Sequence, residues 1–305
     1  MVQENNLNKK IIIICGPTAS GKSDLALSLA KMLNTEVISA DSMYIYKDLN
    51  IGTAKPSILE MQGVKHHLID VVSPYDNFSV SDYKNMALPI INNLLSNGKT
   101  PIICGGTGFY INSILYDLSY GNSEANLEVR EKYIKLANEN GKEYVYNILK
   151  ELDLETANKL HPNDLKRVIR ALEIYHSGTK KSDIKDKLVP QFDYSAYSID
   201  FEREVLYSRI NQRVDIMIEK GLVDEVRNLL NSGVKKDNQC MQAIGYKEII
   251  DYLEGNCSLE KAIEDIKLNT RHYAKRQITY FKKLNVKLLA SSSTETMAKQ
   301  IVNEL

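Results

Sequence analysis

Gly16-Pro-Thr-Ala-Ser-Gly-Lys-Ser23, standing directly after Ile11-Ile-Ile-Ile-Cys15, decides the fold. The stretch matches the phosphate-binding pattern G-x-x-x-x-G-K-[ST] at every fixed position. The β-branched run before it predicts a buried strand. Asp24 to Leu33 after it predicts a helix with Leu25, Leu29 and Leu33 on one side. A loop between two such elements aims backbone N–H groups and a helix N-terminus at one point, where a phosphate or diphosphate is held. Lys22 adds a mobile cation, and the Ser23 hydroxyl suits a Mg²⁺ shared with the phosphates. The chain is therefore expected to handle a phosphorylated small molecule.

Outward from this loop, strands and helices alternate. Strand patterns at Ile11–Cys15, Glu36–Ser39, His67–Val71 and Pro101–Cys104, with helical patterns at Ser23–Leu33 and Ser81–Ser96, predict a parallel sheet with helices on both faces. From Gly121 to Pro190 the texture changes to polar helices with Asn, Lys and Glu, and strand signals vanish. They return at Ala196–Phe201 and Val286–Ala290, separated by helical tracts at Glu202–Asn231, interrupted at Gly221, and at Ser258–Leu284. The expected organisation is an α/β core of residues 1–120 and 191–305, interrupted by an all-helical insertion at 121–190.

Composition narrows the function classes. Lys plus Arg equals Asp plus Glu at 39 each, so a nucleic-acid partner must be met by local basic patches and not by global charge. Cys15, Cys104, Cys240 and Cys257 form no C-x-x-C pair, and Cys15 and Cys104 sit in apolar runs, as expected of buried thiols in a reducing compartment. The histidines show no metal-site spacing. Ile11–Cys15 is too short for the hydrophobic region of a signal peptide, and no apolar run approaches a membrane span. A cytoplasmic monomer with no membrane partner is the expectation.

Two further constellations lie at expected strand ends. Ser39-Ala-Asp-Ser-Met-Tyr44 follows the second strand, and ligands of open parallel sheets bind at the carboxyl ends of strands, so Asp41 should project near the phosphate loop. On spacing alone a turn or N-cap aspartate is the alternative. Gly105-Gly-Thr-Gly108 follows the Pro101–Cys104 strand, where glycines admit close backbone approach and Thr107 offers a hydroxyl; a plain strand-to-helix turn is the other reading. Basic residues cluster in two helices. Lys166, Arg167 and Arg170 share one face of Asn163–His176, opposite the stripe of Val168, Ala171, Leu172 and Tyr175. Ser258–Leu284 carries Lys267, Arg271, Lys275, Arg276, Lys282 and Lys283 with no acid after Asp265, interleaved with Tyr273, Tyr280 and Phe281.

Seven segments in order, Gly16–Ser23, Asp41-Ser-Met43, Ile51-Gly-Thr-Ala-Lys-Pro56, Gly105-Gly-Thr-Gly-Phe-Tyr110, His161-Pro-Asn-Asp-Leu-Lys-Arg-Val-Ile-Arg-Ala-Leu-Glu173, Ala243-Ile-Gly-Tyr-Lys-Glu248 and Thr270-Arg-His-Tyr-Ala-Lys-Arg-Gln277, resemble the motif series of tRNA dimethylallyltransferases over nearly the whole chain. The resemblance implies a P-loop NTPase-like core with a helical insertion that grips the tRNA anticodon arm. It implies transfer of a dimethylallyl group from its diphosphate to the exocyclic N6 amine of the adenosine 3′ to the anticodon, with Mg²⁺. Carried onto this chain, it makes Asp41 the general base and places Thr107 near the target adenine. Gly16, Pro17, Thr18, Ala19, Ser20, Gly21, Lys22 and Ser23 would bind the diphosphate, with Arg203 as a further partner and Ser23 on the metal. Asp41, Ser42, Met43, Tyr44, Thr107, Arg130, Lys166, Arg167, Val168, Ile169, Arg170, Gln242 and Lys247 would face tRNA. Two positions depart from the family: Tyr44 stands where Gln is usual, and Tyr280 where Trp is usual.

The rival readings share parts of this pattern. A small-molecule kinase or NTPase shares the loop and needs an Asp at a buried strand end, for which Asp70 after Leu68-Ile69 is the candidate. An adenylate isopentenyltransferase would use the same donor without RNA, and leaves the insertion and basic helices unused. A pure RNA-binding module leaves the phosphate loop and Asp41 idle.

Overall fold

Ile11, Ile12, Ile13 and Ile14 are sealed from solvent. In the computed structural model, which describes residues 10–118, 126–185 and 188–305, they belong to an interior strand of a six-stranded sheet. Strands β1 (Lys10–Cys15), β2 (Val37–Ser39), β3 (His66–His67), β4 (Ile102–Gly105), β5 (Asp193–Asp200) and β6 (Val286–Ala290) lie in the order β3-β2-β4-β1-β5-β6, every pairing parallel. Successive side chains of a strand point to opposite faces. Since all four isoleucines are buried, both faces of β1 are covered, which is why its run does not alternate.

Helix α1 (Lys22–Met32) puts Leu25, Ala26, Leu29 and Ala30 against Ile12, Ile14 and Ile102. The C-terminal helix of the chain, Thr294–Asn303, packs beside it through Met297, Ala298 and Ile301. A short helix, α2 (Ile58–Met61), precedes β3, and α3 (Val80–Ser96) is started by a capping box of Ser79 and Asp82. Tyr83 of α3 stacks on Tyr110 of α4 (Gly108–Leu115) at 3.9 Å between ring centroids and donates to the Ser39 carbonyl at the end of β2.

The sequence pattern His67–Val71 reads as a strand, yet β3 stops at His67. Leu68 and Asp70 both adopt left-handed φ, 60° and 56°. Such φ values interrupt a ladder, so Asp70 and Val71 instead donate their N–H groups to the carbonyls of Tyr44 and Ile45. Tertiary pairing with the loop after β2 overrides the apolar alternation.

By compactness the chain divides into Met1–Leu115 with Gln191–Leu305, and Tyr116–Pro190. The first unit holds the sheet and, after β5, helices of which one, Arg203–Glu219, ends at Gly221 (φ 94°) before another, Leu222–Asn231. The second unit contains α5 (Leu127–Asn140), α6 (Lys142–Leu152), α7 (Leu154–Ala157) and α8 (Leu165–His176), packed through Tyr133, Ala137, Val145, Leu149, Val168 and Leu172. The expected start of the insertion at Gly121 lies outside the described residues. In chain order the helices of the first unit that follow are α9 (Arg203–Glu219), α10 (Leu222–Asn231), α11 (Tyr246–Leu253), α12 (Leu259–Phe281) and α13 (Thr294–Asn303). Among the described residues, no helix is long and apolar enough to cross a membrane.

Candidate active site

The phosphate loop leaves β1 at Cys15 and enters α1 through Gly21, whose φ of 77° is the left-handed conformation that glycine adopts without strain. Lys22 Nζ folds back onto the Pro17 carbonyl at 3.2 Å. Burial pushes the Lys22 amine below the ordinary lysine range, and the charge of Asp41 nearby works against that shift. Desolvation disfavours a buried ammonium, so an anion beside Lys22 favours its charged form. Ser20 Oγ is buried in the same loop with no partner.

Strand β4 lies between β1 and β2, with Cys15 opposite Gly105 and Ser39 opposite Cys104. The carboxyl ends of β1, β4 and β2 therefore bring three loops together. The approach is close: a Cβ on Gly105 would sit 2.2 Å from the Ala40 backbone. Thr107 donates its N–H to the Ala40 carbonyl at 3.0 Å, and its Oγ1 accepts the Ser42 N–H at 3.0 Å. Asp41 Oδ1 accepts the Met43 N–H at 2.9 Å, and the Asp41 N–H reaches Ser39 Oγ at 3.3 Å. That turn fixes the carboxylate and leaves Oδ2 for another group.

The loop after β2 is held from α9, α10 and α11. Glu225 accepts the N–H groups of Asn50, Ile51 and Gly52 at 2.9, 2.8 and 3.0 Å, and the Tyr246 hydroxyl at 2.6 Å. Gly52 has no room for a side chain between Tyr246 and Leu222. Tyr44 donates to the Ala54 carbonyl at 2.9 Å, and Arg213 to the Thr53 carbonyl at 3.0 Å. Burial, with Asp41 close by, raises the Tyr44 phenol to about 12, so it stays a neutral donor. Buried Lys55 spans the Tyr46 carbonyl and the Asp70 carboxylate, both at 2.5 Å.

These loops border two hollows that share Asp41. A small cleft of about 20 Å³ is lined by Lys22, Ser23, Ser39, Asp41, Tyr44 and Gly105, among others. A larger cavity of about 370 Å³ is lined by Thr18, Asp41, Ser42, Met43, Arg213 and Tyr273, with Gln242, Lys247 and Arg276 at its wall. Burial raises the Tyr273 phenol to about 12, which keeps that hydroxyl a neutral donor at the cavity wall.

The remaining sequence-derived residues separate. Ala19 and Tyr207 both pack against the cluster of Leu206, Ile210 and Ala274; Arg203 lies over the Tyr207 ring at 5.1 Å, and its Nε donates to the Tyr207 hydroxyl at 3.1 Å. Tyr44 borders the cleft and does not border the larger cavity. In the insertion, Arg130 Nε donates to buried Glu173 at 2.8 Å, Arg170 lies 3.5 Å from the same carboxylate, and Arg167 pairs with Asp164 at 3.1 Å. Lys166 is exposed. Val168 and Ile169, expected to face RNA, are 0% and 5% exposed in the core of the insertion. Their side chains are thereby corrected to packing residues, because the apolar stripe of α8 needs them.

Arg213, Gln277 and Glu225 escaped the sequence reading as site residues. Arg213 carries a usable signal. Ile210, Arg213, Val214 and Met217 follow i, i+3, i+4, i+7 spacing on one helix face, and an arginine inside an apolar stripe marks a polar cavity. Glu225 carries no comparable local signal, since the backbone N–H groups it gathers lie about 170 residues away along the chain.

The IPP transferase family model matches residues 44–284. A tRNA dimethylallyltransferase of a Thermoanaerobacter species is 52% identical over 279 residues, covering 90% of this chain and 89% of its own. One from Acetivibrio thermocellus is 49% identical over 278 residues, with the same coverage. Among solved structures, the full-length tRNA isopentenylpyrophosphate transferase of Bacillus halodurans is 41% identical with a TM-score of 0.73, covering 97% of this chain and 95% of its own. A eukaryotic dimethylallyltransferase described as acting on tRNA is 32% identical with a TM-score of 0.81, over 96% of this chain and 77% of that one. A P-loop NTPase-like parallel sheet carrying these loops, matched along most of its length by such relatives, belongs to the IPP transferase family, the tRNA dimethylallyltransferases.

Proposed function

We propose that the chain transfers the dimethylallyl group of dimethylallyl diphosphate to the N6 amine of the tRNA adenosine 3′ to the anticodon. The observation that carries this reading is the position of Asp41, shared between the cleft of Lys22 and Ser23 and the larger cavity. A diphosphate on the phosphate loop and a base in the cavity would then meet at one carboxylate. The relatives named tRNA dimethylallyltransferase, and the eukaryotic one described as acting on tRNA, support dimethylallyl transfer to tRNA.

The chemistry follows from what must be overcome. An adenine amine is a weak nucleophile because its lone pair is delocalised into the ring. Asp41, held by the Met43 N–H, accepts the amine proton as the new C–N bond forms. The allylic carbon tolerates positive charge, so the barrier lies in releasing diphosphate. Loop N–H groups and Lys22 stabilise the charge growing on that leaving group. Thr107, whose Oγ1 accepts the Ser42 N–H, is held against the Asp41 turn. The target base is unstacked from the anticodon loop to enter the cavity.

Among the described residues, no cluster of three or more His, Cys, Asp or Glu is arranged for a metal. The Ser23 hydroxyl beside Lys22 and Asp41 is one hard oxygen donor, which fits Mg²⁺ completed by diphosphate oxygens and water. When bound, that ion would add positive charge at the departing diphosphate.

A kinase reading needs a carboxylate on the strand beside the phosphate loop. That strand, β4, ends in Cys104-Gly105, and Asp70 lies beyond β3, engaged by Lys55. Labelled dimethylallyl diphosphate offered with bulk tRNA, with AMP, or alone tests the proposal. Label in tRNA is expected; label only in AMP indicates the adenylate enzyme, and ATP turnover without either acceptor indicates a kinase.

Lys166, Arg167 and Arg170 are proposed to bind anticodon-arm phosphates without touching the donor. Replacing all three by Gln is expected to raise KM for tRNA and leave donor binding intact. For every phosphate no longer neutralised, the slope of log affinity against log salt should flatten by about 0.7–0.9. An unchanged slope with normal affinity makes them a solvated face. A drop in thermal stability assigns Arg170 mainly to its buried pair with Glu173.

A further inference from the structure

Gln277 lies in α12, more than 150 residues from either loop it touches. It is 5% exposed, and both halves of its amide are engaged. Oε1 accepts the Thr18 N–H at 2.9 Å, and Nε2 donates to the Gly106 carbonyl at 2.9 Å. An amide N–H can only donate and a carbonyl can only accept, so one orientation of the side chain satisfies both partners. The fit excludes alternatives at the partner too, since a Cβ on Gly106 would lie 2.1 Å from Nε2. Tyr273, one turn earlier on the same helix, borders the cavity with Asp41 and Arg276.

This anchor shapes the phosphate loop. The Thr18 N–H turns toward Gln277, and the peptide orientations of its neighbours follow from that bond. Through Gly106 the same side chain fixes how far the loop sits from Thr107, whose N–H is bound to Ala40 beside Asp41. An electrostatic cradle is effective when its dipoles are set before charge develops.

We propose that Gln277 is a positioning residue for the diphosphate: it locks the Thr18 peptide of the phosphate loop and couples that loop, across Gly106, to the Thr107 and Asp41 side of the site. The proposal rests on Gly16–Ser23 being the diphosphate cradle.

Gln277→Glu and Gln277→Met separate this role from simple packing. A glutamate carboxylate still accepts the Thr18 N–H but faces the Gly106 carbonyl with a second acceptor. Once protonated it regains a donor. Binding of inorganic pyrophosphate, measured by calorimetry against wild type at each pH from about 9 to about 6, should be weakened roughly 10–100-fold in Gln277→Glu at the alkaline end and approach wild type on acidification. Gln277→Met should lose affinity at every pH, with KM for the donor rising more than KM for tRNA. In the wild-type protein the Thr18 amide should exchange slowly with solvent before any ligand is added, which requires no variant to fold. A pH-independent ratio for Gln277→Glu, wild-type pyrophosphate affinity in Gln277→Met, or a fast-exchanging Thr18 amide would overturn the role. Wild-type protein that binds no pyrophosphate would overturn the reading of the cradle itself.

Discussion

Asp41→Asn is expected to fold, to bind tRNA and the donor, and to turn over roughly 10²–10⁴-fold more slowly, the range for a missing general base. Folding is preserved because an amide oxygen can still accept the Met43 N–H that Oδ1 takes at 2.9 Å. What disappears is the capacity to accept a proton at a group bordering both the cleft of Lys22 and Ser23 and the larger cavity. The loss should fall on kcat, with both substrate affinities near wild type, in single-turnover transfer of labelled dimethylallyl. Wild-type rates in this variant would remove Asp41 from the chemistry and leave it as the turn that closes β2.

Lys22→Ala is expected to weaken donor capture and to cost roughly 3 kcal/mol in the transition state, about 10²-fold in kcat/KM. The amine lies against the Pro17 carbonyl in a buried setting that lowers its proton affinity. A bound diphosphate raises that affinity again, so the complex holds more protons than the free protein as pH climbs toward the Lys22 pKa. Linkage then requires donor affinity to fall with rising alkaline pH, with net proton uptake on binding. Calorimetry in buffers of different ionisation enthalpy reads that uptake directly, and it should vanish in Lys22→Ala. Donor affinity and turnover both untouched would make the loop a structural turn only.

Between the two predictions the leaving-group side and the acceptor side of the reaction are tested separately. Their meeting point depends on β4 lying between β1 and β2. The same insertion of β4 places glycines where another protein of this loop type needs a metal-binding carboxylate. It fits the proposed use of the phosphate-binding loop in diphosphate release without phosphoryl transfer.

By itself the sequence determined whatever is local. The strand, the phosphate loop and α1 are contiguous, so their apolar run, glycines and helical stripe are written in order. Asp41 and the Gly105–Gly108 turn were legible because ligands gather at the carboxyl ends of parallel strands. The basic face of α8 followed from helical spacing, and so did the burial of Val168, which the sequence's own apolar stripe already marked. Tertiary structure alone decided the rest, because its partners are far apart in the chain and obey no local period. Asp70 and Val71 give up the expected strand for backbone bonds to the carbonyls of Tyr44 and Ile45. Glu225 gathers three N–H groups from the loop after β2. Arg213 breaks an apolar stripe to hold Thr53, and Gln277 joins two glycine-rich loops through one amide. A buried polar side chain must be satisfied by whatever the fold brings to it, and only the folded chain says which groups those are.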